Sequence, residues 1–362
     1  MSQFHDLPGL APIKPLLMDP QITEIMINGP AQIYVEKGGQ MHPVQSPFAE
    51  PAQLNFLVET LLRFSGRSVD TSNPYVDSRL PDGSRINVII PPLCLNGPTV
   101  TIRKFTRRLK DIKDLVKIGT LTEKMAYLLC AAITSRLNVI FSGATGTGKT
   151  TTLGILSGRI SESERIITIE DTAELELRQQ HVVRLECRKS NVQGEGEVGI
   201  ADLLRNSLRM RPTRIIVGEI RGDEAIEMIQ AATSGHEGCL AVIHANSPAD
   251  ALSRLEMMFL SRGLRLPLWA IHRQLAAAID LIVQHELLPD GSRKITRITE
   301  VCDVGQEGVD LRHLFEFQHE STGATGTVAG QFVCSGNEPQ FLTKFHRTGV
   351  NVPPKLFEKG PA

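Results

Sequence analysis

Between a short apolar run and a segment of helical spacing stands Gly143-Ala144-Thr145-Gly146-Thr147-Gly148-Lys149-Thr150, which fills every fixed position of the pattern G-x-x-x-x-G-K-[ST]. The run before it, Leu137-Asn138-Val139-Ile140-Phe141, reads as a buried strand. The segment after it, Thr150 to Ile160, has no proline and carries Leu153, Ile155 and Leu156 as an apolar stripe, so it reads as a helix. Strand, glycine-rich loop and helix form the context in which this pattern cradles phosphate. Glycines let the backbone curl so that its N–H groups point inward, and the helix N-terminus adds partial positive charge. Lys149 then reaches the β- and γ-phosphates of a nucleotide, and the Thr150 hydroxyl ligates Mg2+. Gly143 to Thr150, with Thr151 beyond them, are the candidate nucleotide-binding residues. The competing reading is a glycine-rich turn that binds nothing; the complete pattern in its proper context argues against it.

At 362 residues the chain is long enough for roughly two or three domains. Apolar residues at 41% and charged residues at 22% are ordinary for a globular chain, and a net charge of −1 offers no general attraction to nucleic acid or anionic lipid. Six cysteines, at 94, 130, 187, 239, 302 and 334, form no C-x-x-C pair. Neither a zinc framework nor a secreted disulfide scaffold is expected, and the thiols read as reduced, in a cytoplasm. The opening MSQFHDLPGLAPIKPLLMD lacks a basic segment followed by an apolar core, so no signal peptide is expected. No apolar run approaches the ~18–20 residues of a membrane span, which leaves peripheral contact or contact through a partner.

The first hundred residues read as a small α+β unit. ITEIMIN (22–28) and AQIYVEK (31–37) are strand-like around Gly29-Pro30, and 51–66 places Leu54, Leu57, Val58, Leu61 and Leu62 on one helical face, with Gly66 as a stop. YVDSRL (75–80) and SRINVII (84–90) flank the turn Pro81-Asp82-Gly83, and TVTIRKF (99–105) is the last strand of the unit. Residues 1–105 are therefore expected as an N-terminal domain and 106–118 as a linker. From 119 to 362, apolar strand-like runs (NVIFS, RIITIE, VVRLE, RIIVGE, CLAVIHA) alternate with helical patterns, as in a mostly parallel sheet covered by helices. Asn191 to Gly199 is a glycine-rich acidic loop expected to move. From about 285 an extension reuses, at 289–293, the Pro-Asp-Gly-Ser-Arg turn of 81–85.

RKFTRRLK (103–110) carries five basic residues in eight. Aromatics make up 5% of the chain and only Phe105 lies in this run, so no base-stacking platform is present and no direct contact with nucleic acid is expected.

Hydrolysis of a nucleotide needs a carboxylate to orient water, a metal site and cations for the charge on the γ-phosphoryl oxygens. The strand Arg214-Ile215-Ile216-Val217 ends in Gly218-Glu219, with Gly218 where an Asp would be common. Glu219 is thus expected to support Mg2+ through water, leaving Thr150 as the direct protein ligand; the bland reading of Glu219 is an ion pair with Arg221. A second strand, 165–169, ends in Glu170-Asp171, and strand ends line the ligand crevice of a parallel sheet. Glu170 is the second candidate carboxylate, against a reading in which Asp171 or Thr172 merely caps. His236 and His244, eight apart, lack cysteine partners for a metal; an oxyanion-sensing or carboxylate-orienting imidazole is the better reading.

Together GATGTGKT, RIITIED, RPTRIIVGEIRG and SGHEGCLAVIHAN, in this order, resemble the secretion ATPases, the motors of type II secretion, type IV secretion, type IV pili and Tad/Flp pili. The resemblance runs from about 15 to 357. The opening PLLMDPQITEIMINGPAQIYVEKGG and the tail are similar to the Tad/Flp (CpaF-type) pilus branch; conjugative type IV secretion is the second reading and a nucleic-acid translocase a more remote one. The absence of an N/T-K-x-D motif speaks against a GTPase. The resemblance implies a RecA-like P-loop NTPase domain of α/β class, ATP and Mg2+ as ligands, a homo-hexameric ring, and docking on inner-membrane platform proteins from the cytoplasmic side. It also implies that arginines of the N-terminal unit reach toward phosphate. Arg79, Arg85 and Arg103 are the candidates, because the guanidinium fork matches phosphate oxygens; surface salt bridges are their bland reading.

Overall fold

The structure, a computed structural model, describes residues 7–65, 68–104, 109–188, 190, 195–263, 266–306, 308–323 and 326–362. Gly66, the expected helix stop, Phe105 to Arg108 of the basic run and linker, and 191–194 of the acidic loop lie outside the described residues. The chain divides into two compact units, Met1–Arg108 and Leu109–Ala362.

In the first unit, strands β1 (Ile22–Asn28), β2 (Ile33–Lys37), β3 (Gln40–Val44), β4 (Tyr75–Arg79), β5 (Arg85–Ile89) and β6 (Thr99–Arg103) form one sheet in the order β3-β2-β1-β6-β5-β4, with every neighbouring pair antiparallel. Alternation sets its two faces: Ile25, Ile27, Ile86, Val88, Val100 and Ile102 turn to the core, and the residues between them turn away. Helix α1 (Lys14–Met18) contributes Leu17 to that core, and α2 (Pro51–Ser65) contributes the expected stripe Leu54, Leu57, Val58, Leu61 and Leu62. Full burial stabilises each such leucine by about 1.5–3 kcal/mol, so the stripe is what holds the helix to the sheet.

The second unit holds α3 (Ile112–Lys117), α4 (Glu123–Thr134), β7 (Val139–Gly143), α5 (Lys149–Ser157), β8 (Ile166–Glu170), β9 (Val182–Glu186), α6 (Ile200–Ser207), β10 (Arg214–Ile220), α7 (Glu224–Thr233), β11 (Leu240–Ile243), α8 (Pro248–Ser261), α9 (Leu268–Ala278), β12 (Leu281–Leu287), β13 (Arg293–Val304), β14 (Val309–Thr322), β15 (Val328–Cys334), α10 (Leu342–Arg347) and β16 (Gly360–Pro361). Among the described residues its ten strands make one sheet, β16-β15-β14-β13-β12-β7-β11-β10-β8-β9. From β12 to β9 every pair is parallel; from β12 to β16 every pair is antiparallel. The sheet is therefore mixed, and the extension after 285 continues it.

Helices cover both faces. Val139 and Phe141 of β7 pack on the side of α4 and α5, while Ile140 packs on the side of α7 to α9. That double cover explains why β7, β8 and β11 are buried at every position and show no alternation. The expected linker differs from a loop where it is described. Asp111 and Asp114 form a capping box that starts α3, and Ile112 and Leu115 are buried in the second unit's core.

Candidate active site

The phosphate-loop strand β7 ends in Gly143, and α5 begins at Lys149. Gly143, Gly146 and Gly148 have φ of 149°, 78° and 96°, conformations that disfavour any Cβ. At Gly143 a Cβ would also meet the His285 carbonyl at 2.4 Å, so the loop starts hard against β12. Gly148 is the N-cap of α5, and no side chain caps that helix. Its first N–H groups are thus left to whatever the loop encloses. Lys149 is buried and its Nζ donates to the Ala144 carbonyl at 2.7 Å, a bond the Thr147 hydroxyl also makes at 2.8 Å. The ammonium is held inside the loop, folded back on the backbone that curls around it. Thr150 and Thr151 follow on the first turn of α5. Glycine conformations, an uncapped helix start and a buried ammonium fit the phosphates of a nucleotide.

Strand β11 is inserted between β7 and β10, so the residue after it, His244, stands between the loop and the β10 acid. His244 Nε2 lies 3.0 Å from Glu219 Oε1. Burial first, and then the Lys149 ammonium, push this imidazole below its ordinary value in spite of Glu219. It is accordingly neutral at pH 7, a hydrogen-bond partner for the carboxylate. On the other side, Arg221 grips Glu219 with two bonds of 2.6 Å, Nε to Oε1 and Nη2 to Oε2. Arg221 is 65% exposed, so this ion pair is solvent-screened and readily exchanged.

Glu170, at the end of β8, is buried. Its Oε2 accepts from the Glu174 and Leu175 backbone N–H groups at 2.7 and 2.9 Å, while Oε1 is buried without a partner among the described residues. Burial pushes its carboxyl above the usual range, against those two donors. A buried carboxylate with one oxygen tied and one oxygen left over is suited to hold a water or a proton.

In the first unit the three expected arginines fall into one row. Arg79 pairs with Arg85 across β4 and β5, and Arg85 with Arg103 across β5 and β6, on the face away from Ile86 and Ile102. Glu24 of β1 follows in the same row, its carboxyl raised by burial more than Arg103 lowers it. Like charges directly opposite one another destabilise a sheet, and the attraction of Glu24 to Arg103 offsets part of that.

The sequence matches the model of the type II/IV secretion system protein family over residues 6–327. The chain belongs to that family. Among curated relatives, a putative conjugal transfer protein of Mycobacterium tuberculosis is 34% identical over 299 residues, which cover 81% of this chain and 84% of that protein. A type IV secretion system protein VirB11 of Brucella suis is 34% identical over 327 residues, covering 82% and 89%. Among solved structures, the Legionella pneumophila ATPase DotB superposes with a TM-score of 0.56 at 21% identity, over 80% of this chain and 79% of that one, a likeness of fold.

In this type II/IV secretion system protein the expected residues of the second unit fall into two groups, with His236 outside both. Gly143 to Thr151 are contiguous, and Glu219 and His244 touch each other. Glu170 joins them through Gly218, where a Cβ would come 2.8 Å from the Glu170 Cγ. The missing Asp at 218 is thereby explained: that position is filled by Glu170. His236 is apart, in the turn after α7, where its carbonyl accepts the Cys239 thiol at 3.2 Å and its Nδ1 is buried without a partner among the described residues. Two residues at the loop went unread: His285, under Gly143, and Arg293, whose Nε donates to the Gly146 carbonyl at 2.7 Å. The repeated turn at 289–293 marks the second as a strand-start arginine but does not say what it meets.

Proposed function

We propose that this chain hydrolyses ATP and that six copies in a ring drive a type IV-like secretion or filament-assembly machine. The observation that carries the reading is the phosphate loop lying one strand away from the Glu219–His244 pair, all at strand ends on one edge of the parallel sheet. Mg2+–ATP would supply the phosphoryl group and the charge that these residues manage. Lys149 would leave the Ala144 carbonyl for the β- and γ-phosphate oxygens. Thr150 would ligate the metal directly, with Glu219 acting through water after Arg221 is displaced. Neutral His244 would orient Glu219, and the spare oxygen of Glu170 would hold a water. The Arg79–Arg85–Arg103 row would meet phosphate oxygens at a subunit boundary, and the ring would act at the inner membrane through platform proteins.

For the cargo, the names of the relatives favour conjugal transfer or type IV secretion, while the opening and tail residues support Tad/Flp pili. The first test is phosphate release by the purified protein, with Lys149→Ala and Glu219→Gln as comparisons. Turnover equal to wild type in both would end the hydrolysis reading. In cells, pilus counts and mating frequency with Lys149→Ala separate the two cargoes. Mixing Lys149→Ala chains into wild type should reduce activity more than dilution does; proportional loss would argue against a ring.

A further inference from the structure

The six residues Leu-Pro-Asp-Gly-Ser-Arg occur twice, at 80–85 and 288–293. Both copies fold the same way. In the first, the Leu80 N–H donates to the Ser84 carbonyl at 2.8 Å, that of Gly83 to Leu80 at 2.9 Å, and that of Ser84 to Asp82 Oδ1 at 2.9 Å. In the second, Leu288 donates to Ser292 at 2.8 Å, Gly291 to Leu288 at 2.8 Å, and Ser292 to Asp290 Oδ1 at 2.9 Å. Gly83 and Gly291 have φ of 88° and 80°. Each turn therefore delivers an arginine at the first residue of the returning strand: Arg85 on β5, in the cationic row, and Arg293 on β13.

Arg293 lies along the phosphate loop. Its Nε donates to the Gly146 carbonyl at 2.7 Å, and its Cδ would be 3.6 Å from a Cβ on Gly148. The same hairpin also meets the loop at its start, where the His285 carbonyl backs Gly143. In a trans peptide the C=O and the next N–H point opposite ways. Holding the Gly146 oxygen on the hairpin side therefore turns the Thr147 N–H to the other side. Gly146 has no side chain to stiffen it and a φ of 78°, and the bonds inside the loop run to the Ala144 carbonyl, so the Arg293 bond is the one that acts on this peptide's own oxygen among the described residues.

We propose that Arg293 is a positioning residue for phosphate binding: it fixes the Gly146–Thr147 peptide and so presets the loop's N–H donors. The proposal rests on the nucleotide reading of this loop and adds to it a brace from the antiparallel extension. Preorganised donors bind an anion without the cost of ordering them.

The test is titration of full-length protein with ADP and with ATP by calorimetry, with the melting midpoint measured with and without nucleotide. Arg293→Met removes both donor and charge and should weaken both nucleotides about tenfold, the worth of roughly one hydrogen bond. Its nucleotide-induced gain in melting midpoint should shrink to match. Arg293→Lys, and in part the uncharged Arg293→Gln, should restore affinity, since each keeps an N–H for the carbonyl. Lys294→Met is the neighbouring control: its Nζ bonds the Gly119 carbonyl at 2.6 Å and lies over the Phe317 and Phe332 rings, so stability should fall and affinity should not. Wild-type affinity in Arg293→Met overturns the proposal, and so does Arg293→Gln binding no better than Arg293→Met, which would leave only charge. If Arg293→Met does not fold, Arg293→Gln is judged against wild type and Arg293→Lys, and Gln as weak as a tenfold loss overturns it. Wild-type protein that binds neither nucleotide would sink the nucleotide reading itself, a different outcome from an indifferent Arg293.

Discussion

Glu170 of β8 lies across Gly218 of β10 so closely that a Cβ on the glycine would come within 2.8 Å of the Glu170 Cγ and 3.3 Å of its Cβ. The glutamate has little room to yield, because Oε2 is tied to the Glu174 and Leu175 N–H groups. Gly218→Ala should therefore cost about 1–3 kcal/mol, as overpacking does elsewhere. It should also displace the Glu170 carboxylate and lower kcat. Denaturant melts and steady-state turnover check this; no change in either would mean Glu170 tolerates a neighbour there.

Gly143 has a φ of 149° and a backbone carbonyl 2.4 Å from where its Cβ would be, so even alanine must push β12 and the loop apart. Gly143→Ala should abolish nucleotide binding while leaving most of the helical signal. Gly235→Ala, with φ of 96° but open space around it, is the control for backbone strain alone. Equal affinity in Gly143→Ala and wild type would refute the close approach.

His285 is fully buried, and burial pushes its imidazole down to about 4. An unfolded chain protonates this group near 6.5, the folded one does not. The unfolded state thus binds more protons below that point, so stability falls as pH drops from about 6.5 to about 4 and is insensitive to this group above. About 2 kcal/mol should be lost between pH 6.5 and pH 5. His285→Asn should flatten that part of the curve; an identical slope in the variant would remove His285 as its source.

Arg214, 1% exposed, joins Glu164 at 2.8 Å and donates to the Ile133 carbonyl at 2.7 Å, so the start of β10 is pinned to the end of α4. Arg214→Met leaves the Glu164 carboxylate, among the described residues, with the half-exposed Arg136 at 3.1 Å and should destabilise by about 3–5 kcal/mol. Arg214→Met with Glu164→Leu should recover much of that. Urea unfolding of the single and double variants measures it, and a double variant worse than the single would contradict the unpaired-charge explanation.

Where local chemistry dominates, the sequence was readable. The β7–loop–α5 unit, the stripe of α2 and the turns at Gly83 and Gly291 follow from apolar spacing and glycine placement. The strand ends at Glu219, Glu170 and His244 followed from apolar runs that stop abruptly. Less was visible where long-range pairing decides. β3 carries Pro43 and exposed residues, an edge strand that no alternation announces, and β14 and β15 have mixed patterns because they form the sheet's antiparallel flank. The α3 helix hid in a basic stretch because only its Asp111 cap and the pair Ile112 and Leu115 mark it. At the site, residue identity in the sequence could not tell that Gly218 is small for Glu170, or that Arg293 returns across 147 positions to Gly146.

The insertion of β11 between β7 and β10 sets the spacing of the site's backbone. Two inter-strand steps of about 4.8 Å separate β7, which leads into the phosphate loop, from β10, which carries Glu219. One strand's width thus lies between the phosphate-loop strand and the strand of Glu219, and His244, just past the end of β11, stands in it against Glu219. With a nucleotide in the loop, sheet order would therefore set how far the backbone of the acid stands from the last phosphate.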